Sequence, residues 1–135
     1  MSQQLMNPPE LKSRFIDAAR MAWSPTEFDG IEMKILYSDS EGRSAILFRM
    51  QPGAVVPLHQ HQALEMTYMI EGDLEDDEGR CTDGNFVWRP GGNRHIARSR
   101  NGAVFLSIFN KPNIFESGTR FFTEDGGAPE DRATP

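Results

Sequence analysis

An internal disulfide is excluded at once, because the 135-residue chain holds a single cysteine, Cys81. Placed in the run RCT, it reads as a small strand residue rather than as a reactive thiol. Long apolar runs are missing too, so nothing in the sequence spans a bilayer as a helix. The start, MSQQLMNPPE, has neither the basic nor the apolar region of a secretory signal, and the chain reads as cytoplasmic with no membrane partner. A basic excess is also lacking: 14 Lys and Arg stand against 20 Asp and Glu, for a net charge of −6. The arginines are scattered among acids, so there is no basic stripe for a phosphate backbone and nucleic acid is not expected as a partner. Neither a Ser/His/Asp set nor a phosphate-cradling glycine loop is present. The acidic run EDDEG, Glu75 to Gly79, lacks the alternating oxygen ligands and closing glutamate of a calcium loop and reads as a solvated hairpin tip.

What is there suits one domain. With 38% hydrophobic and 25% charged residues, the chain is long enough to bury a core and too short for two. Both ends are polar and rich in Pro, Gly or acids, and read as loose. Between Leu11 and Trp23 the spacing of Leu11, Phe15, Ala18 and Ala22 suits a helix, while RFIDA suits an edge strand, and the sequence leaves the two open. Beyond that, short β-type runs alternate with turn signals: IEMKILY, SAILFRM, EMTYMI, RCT, FVW, HIARS and AVFLSIF, separated by SDSEGR, QPG, EGD, DGN, RPGGN and RNG. Such spacing predicts an all-β sandwich or barrel of antiparallel hairpins.

Histidine is scarce, and its placement is uneven. Of three histidines, two stand one residue apart, with a glutamate four positions later. On a single extended strand His59, His61 and Glu65 share parity and point to one side, together with Thr67 and Met69. Met66, Tyr68 and Ile70 fall on the other side, so both faces are apolar and the strand is expected to be covered on both. Two imidazoles and a carboxylate converging in a core need a partner, and a divalent metal suits their lone pairs. An HxH pair alone is more often two solvated loop histidines than a metal site. The third, His95, follows the reversal Pro90–Gly91–Gly92, which can deliver it beside the other two. Trp23, Trp88 and the phenylalanines of AVFLSIF and RFF read as core or interface, and Arg49, Arg94 and Arg98 as candidates for an anionic substrate without a signal that orients them inward.

Gly53, His59, His61, Glu65 and Gly72 match the first cupin motif, G(X)5HXH(X)3-4E(X)6G, and Gly84, Pro90, Gly92 and His95 match the second, G(X)5PXG(X)2H(X)3N, with Ser99 in place of its last residue. The chain thus resembles the cupin superfamily, and from about Arg14 to Asn113 it is similar to the small cupins grouped with the ChrR-type anti-sigma factors and acetylacetone dioxygenase. The resemblance implies a single RmlC-like antiparallel β-barrel or jelly roll over 14–113, a flexible arm at 1–13 and a partly disordered tail at 114–135. It implies one divalent metal held by His59, His61, Glu65 and His95, with glycines and prolines turning the chain at the barrel mouth. The departure at Ser99 bears on a local turn.

That donor set suits Fe(II), Mn(II), Ni(II), Co(II) or Zn(II), and the likeness to dioxygenases favours Fe(II). The expected activity is a metal-dependent dioxygenase cleaving a small dicarbonyl or hydroxyketone, with Glu65, an exchangeable ligand, as the catalytic candidate. Two alternatives stay open: a non-catalytic ChrR-like metal- or ligand-sensing module, and a Lewis-acid isomerase or decarboxylase. Small cupins of this kind commonly pair, so a homodimer is expected.

Overall fold

A computed structural model describes residues 6–115 and the short strand at 120–121. Strict alternation makes the central strands: in β3 (Ser44–Met50) and β9 (Ala103–Phe109) every second residue is buried. Their antiparallel register sets Phe48 opposite Phe105 and Ile46 opposite Ser107, and the Phe48 ring lies 5.4 Å from that of Phe105. Around them stand β1 (Ser24–Pro25), β2 (Ile31–Ser38), β4 (Val55–Gln60), β5 (Glu65–Glu75), β6 (Arg80–Thr82), β7 (Phe86–Arg89), β8 (Arg94–Arg98), β10 (Asn113–Phe115) and β11 (Arg120–Phe121).

The chain builds an all-β curled antiparallel sheet, as its turn spacing predicts. One face follows the order β1-β2-β3-β9-β5-β7, and the other runs β6-β5-β8-β4-β10-β11. Strand β5 belongs to both. The segment EGD, read in the sequence as a turn, instead continues β5: residues 65–72 pair with β9, and Asp73 to Glu75 pair with β6. The corner sits at Gly72, whose φ is +94° and where an added Cβ would lie 2.0 Å from the Gly102 carbonyl oxygen. Just beyond it, the buried Asp73 carboxylate accepts hydrogen bonds from Ser99 Oγ, the Arg100 and Asn101 amides and Arg80 Nη2. Burial raises its pKa, but these donors outweigh burial and hold it at about 2. Ser99 therefore serves the local turn, where its motif position puts it. Cys81 is buried on β6, and burial pushes its thiol pKa up, in line with an inert strand residue.

The segment from Leu11 to Trp23 is neither helix nor strand. It holds 3-10 turns at Pro9–Leu11 and Ala18–Arg20, and Leu11 and Phe15 are 66% and 94% exposed, so a helical stripe would have had nothing to pack on. Trp23 pins its end: Lys34 Nζ and Arg49 Cζ lie 4.6 Å and 4.4 Å from its ring centroid, and Lys34 Nζ donates to the Ala18 carbonyl. Strand β10 carries the sheet past residue 113, with Phe115 opposite His59 of β4. The remainder of the tail expected at 114–135, apart from β11, lies outside the described residues, as do residues 1–5 of the arm. No helix among the described residues is long and apolar enough to cross a membrane.

Candidate metal centre

The site begins where β4 ends. His59 is on the strand, but His61 lies just past Gln60 in the reversal that leads to Glu65, the first residue of β5. The single extended strand expected for His59, His61 and Glu65 is therefore two strands and a turn. Within β5 the expected parity holds, because Thr67 and Met69 are buried while Tyr68 and Ile70 are exposed. The outer face of β5 is accordingly open rather than covered.

Both motifs then meet through the backbone. The turn after Pro90 clamps His61: Gly92 N–H donates to the His61 carbonyl at 2.6 Å, and His61 N–H donates to the Asn93 carbonyl at 2.8 Å. Antiparallel pairing of β4 and β8 sets His95 directly opposite His59. Ligand atoms of His59, His61 and His95 all lie within 4.8 Å of one another, and the residues are 4%, 0% and 5% exposed. Glu65 stands beside this cluster, its Oε1 2.6 Å from His61 Nδ1.

Hydrogen bonding decides which lone pairs are free. His59 Nδ1 faces the Pro57 carbonyl at 2.7 Å, which a protonated Nδ1 satisfies, leaving the Nε2 lone pair available. His95 Nδ1 faces Asp76 Oδ2 at 2.7 Å with the same result. His61 is different: its Nδ1 has the Glu65 carboxylate at 2.6 Å, outside hydrogen-bond geometry, and its buried Nε2 has no hydrogen-bond partner. A buried nitrogen left without a partner is costly, and a cation at the centre of the cluster offsets that cost at Nε2. The residues present thus fit a divalent metal.

Electrostatics point the same way. Burial, and secondarily the neighbouring imidazoles, lower the His59 pKa to about 4 despite the Pro57 contact. His95 is lowered by burial and by Arg89, so both rings are kept neutral, as metal ligation requires. Burial alone would raise Glu65, but His61, His59 and Arg89 outweigh it and hold its carboxyl below the usual range.

Two residues of the site escaped the sequence reading. The run EDDEG is solvated at Asp77, Glu78 and Gly79, but the Asp76 side chain is only 2% exposed and is bound to His95. It also pairs with Arg89 Nη1 at 2.7 Å. Arg89, not Arg49, Arg94 or Arg98, is the arginine that borders the cavity. Arg49 turns outward onto Glu32 at 2.6 Å, and Arg94 and Arg98 are exposed. Parity alone misleads here, because a buried Trp88 would turn Arg89 outward, whereas the structure exposes Phe86 and Trp88 and turns Arg89 inward with Val87. Trp88, expected in core or interface, is 60% exposed on the outer face. The cavity itself is about 50 Å³ and is lined by His59, His95, Glu65 and Arg89 together with Phe28, Phe48, Phe105, Phe109 and Phe115, the last with its ring 5.0 Å from that of His59.

Comparison with known proteins agrees with this architecture. The curated protein oxalate decarboxylase OxdC of Bacillus subtilis is 27% identical over 89% of this chain, which spans 36% of its length. A Methylibium petroleiphilum structure provisionally assigned as an acetylacetone dioxygenase superimposes with a TM-score of 0.73 at 18% identity, covering 85% of this chain and 90% of the other. An acetylacetone dioxygenase from Acinetobacter johnsonii gives 0.67 at 17% identity, covering 89% of each. These likenesses show the cupin fold. The profile of the ChrR cupin-like domain matches residues 12–113, three quarters of the sequence, and the chain belongs to that family.

Proposed function

We propose that the protein is a metal-dependent dioxygenase of small, oxygen-chelating carbonyl compounds, with Fe(II) as its metal. The observation that carries it is the cluster of three buried imidazoles, two with Nδ1 already engaged, opening on an apolar cavity. His59, His61 and His95 would hold the metal, and Glu65 beside His61 would supply a fourth, exchangeable contact. The bound metal would supply Lewis acidity and an electron path between a chelating substrate and O₂. The chain's own groups do the rest. The phenylalanine wall excludes water and limits the substrate to a compact body. Arg89, its charge partly balanced by Asp76, favours an anionic oxygen beside it. Acetylacetone and oxalate, the compounds in the relatives' names, are each small and each can chelate a metal through a pair of oxygens, which supports this substrate class. The fold's relatives also include a decarboxylase, and the family is named for ChrR, so a Lewis-acid decarboxylase or isomerase and a metal-sensing module are the competing readings.

Protein purified without chelator is expected to carry one transition metal per chain by elemental analysis. After Fe(II) loading it is expected to consume O₂ with a 1,3-dicarbonyl or hydroxyketone above the free-iron rate. Metal uptake without O₂ consumption across such a panel would transfer the assignment to the sensing or Lewis-acid readings, and no uptake of Fe(II), Mn(II) or Zn(II) would end the metal reading.

We further propose that a second copy of the chain covers the outer face of the first sheet. Cross-strand pairs Met66–Trp88 and Tyr68–Phe86 line it, with Tyr68, Phe86 and Trp88 47%, 55% and 60% exposed. The arm residues Phe15 and Ile16 are a second apolar surface left open among the described residues, and a two-fold pairing gives each arm a partner to lie on. Analytical ultracentrifugation is expected to show a dimer that the double change Tyr68→Lys, Trp88→Lys dissociates. A wild-type monomer at micromolar concentration would refute the pairing.

A further inference from the structure

We propose that Asp76 is a positioning residue for the metal centre, fixing the His95 ring with its Nε2 lone pair toward His59 and His61. The inference rests on the metal-site reading above. It starts from a count of donors. Asp76 Oδ2 accepts from His95 Nδ1 and from Arg89 Nη1, each at 2.7 Å, and Oδ1 accepts from the backbone amides of Glu78 and Gly79 at 2.8 Å and 3.0 Å. All four groups around the carboxylate are donors. A side chain that only accepts therefore compels the single N–H of a neutral imidazole to sit on Nδ1.

The carboxylate is itself immobile. Its own backbone N–H donates to the Gly79 carbonyl at 3.0 Å, closing the turn between β5 and β6, and the turn amides grip Oδ1 while Arg89 grips Oδ2. Asp76 cannot rotate without breaking contacts on both oxygens. The three histidines differ in this respect. His59 Nδ1 is matched to a main-chain carbonyl, which no substitution removes, and His61 Nδ1 faces Glu65 at 2.6 Å outside hydrogen-bond geometry. His95 is the one ring of the cluster with a well-formed hydrogen bond to another side chain. Because every neighbour donates, an isosteric amide offers no escape: Asn at 76 must turn its NH₂ either on the turn amides or on His95 and Arg89.

Co(II) is a suitable probe, since its visible absorption reports ligand geometry directly. Stripped wild type, Asp76→Asn, Asp76→Ala and Asp77→Asn would be titrated, the last changing an exposed carboxylate in the same turn. Both Asp76 variants are expected to bind Co(II) about 10- to 100-fold more weakly, with an altered absorption spectrum, whereas Asp77→Asn matches wild type. In parallel, long-range ¹H–¹⁵N NMR of the stripped wild type is expected to show His95 protonated on Nδ1, a readout that needs no variant and survives any failure of one to fold. Wild-type Co(II) affinity in both Asp76 variants, or His95 protonated on Nε2 in the wild type, would overturn the proposal. Wild type that takes up no Co(II), with His95 still protonated on Nδ1, would instead refute the metal reading and leave the Asp76 contact standing.

Discussion

Truncation of His95 to alanine is expected to weaken metal binding by about a hundredfold or more, while Glu65→Gln keeps the metal. The estimate divides an apparent binding free energy of about 10–16 kcal/mol among four ligands, giving about 3 kcal/mol each. Geometry sets the two residues apart. His59 and His61 are near neighbours in the chain, so His95 is the one imidazole that closes the cluster from across the sheet, through the β4–β8 pairing. Its removal also strips Asp76 Oδ2 of a buried donor. Glu65 stands next to the cluster instead, and glutamine retains an oxygen beside His61 while losing the charge. Metal content and O₂ uptake of the two variants, measured side by side with excess Fe(II), provide the check. Equal loss in both would reject an exchangeable role for Glu65.

The second large effect is purely structural. Gly72→Ala is expected to destabilise the fold by more than about 4 kcal/mol, a large share of the total for a domain of this size. Its backbone has φ of +94°, and an added Cβ would fall 2.0 Å from Gly102 O and 2.7 Å from Ala103 Cα, so β5 and β9 would have to part. Gly53 is the control. Its φ is +88°, yet a Cβ there meets nothing within 4 Å, so Gly53→Ala should cost only the conformational penalty of about 1 kcal/mol. Chemical denaturation of both variants decides the matter: similar midpoints would mean that backbone conformation, rather than the collision at the corner, makes Gly72 necessary.

These two residues also show what the sequence discloses. Gly72 and the three histidines stand at motif spacings, and the strands SAILFRM and AVFLSIF announce their own bounds because alternation is unbroken in each. Legibility fails where tertiary contacts override local pattern. EGD has the composition of a turn, yet Gly72 lets β5 bend and continue into the opposite face. HxHxxxE satisfies strand parity, yet the chain reverses after Gln60 because the second motif holds His61 by its backbone. Asp76 sits within an acidic run of solvent-facing character, and nothing local distinguishes it from Asp77. Only the fold brings His95 and Arg89 to its oxygens.

The hairpin that carries Asp76 has a meaning for engineering. Because one turn residue is fastened both to its own loop amides and to a histidine nineteen positions along the chain, the distance between the two motifs works as a ruler. The turn after Asp39 shows the contrast. It is built alike, with Asp39 Oδ1 accepting from the Glu41 and Arg43 amides, but among the described residues the Asp39 carboxylate is bonded only within its own hairpin, to Tyr37, Glu41 and Arg43. A peptide tag or a grafted loop belongs there, on a hairpin whose aspartate holds no histidine. Between Asp76 and Gly79, each inserted residue rewrites the address at which a carboxylate meets His95.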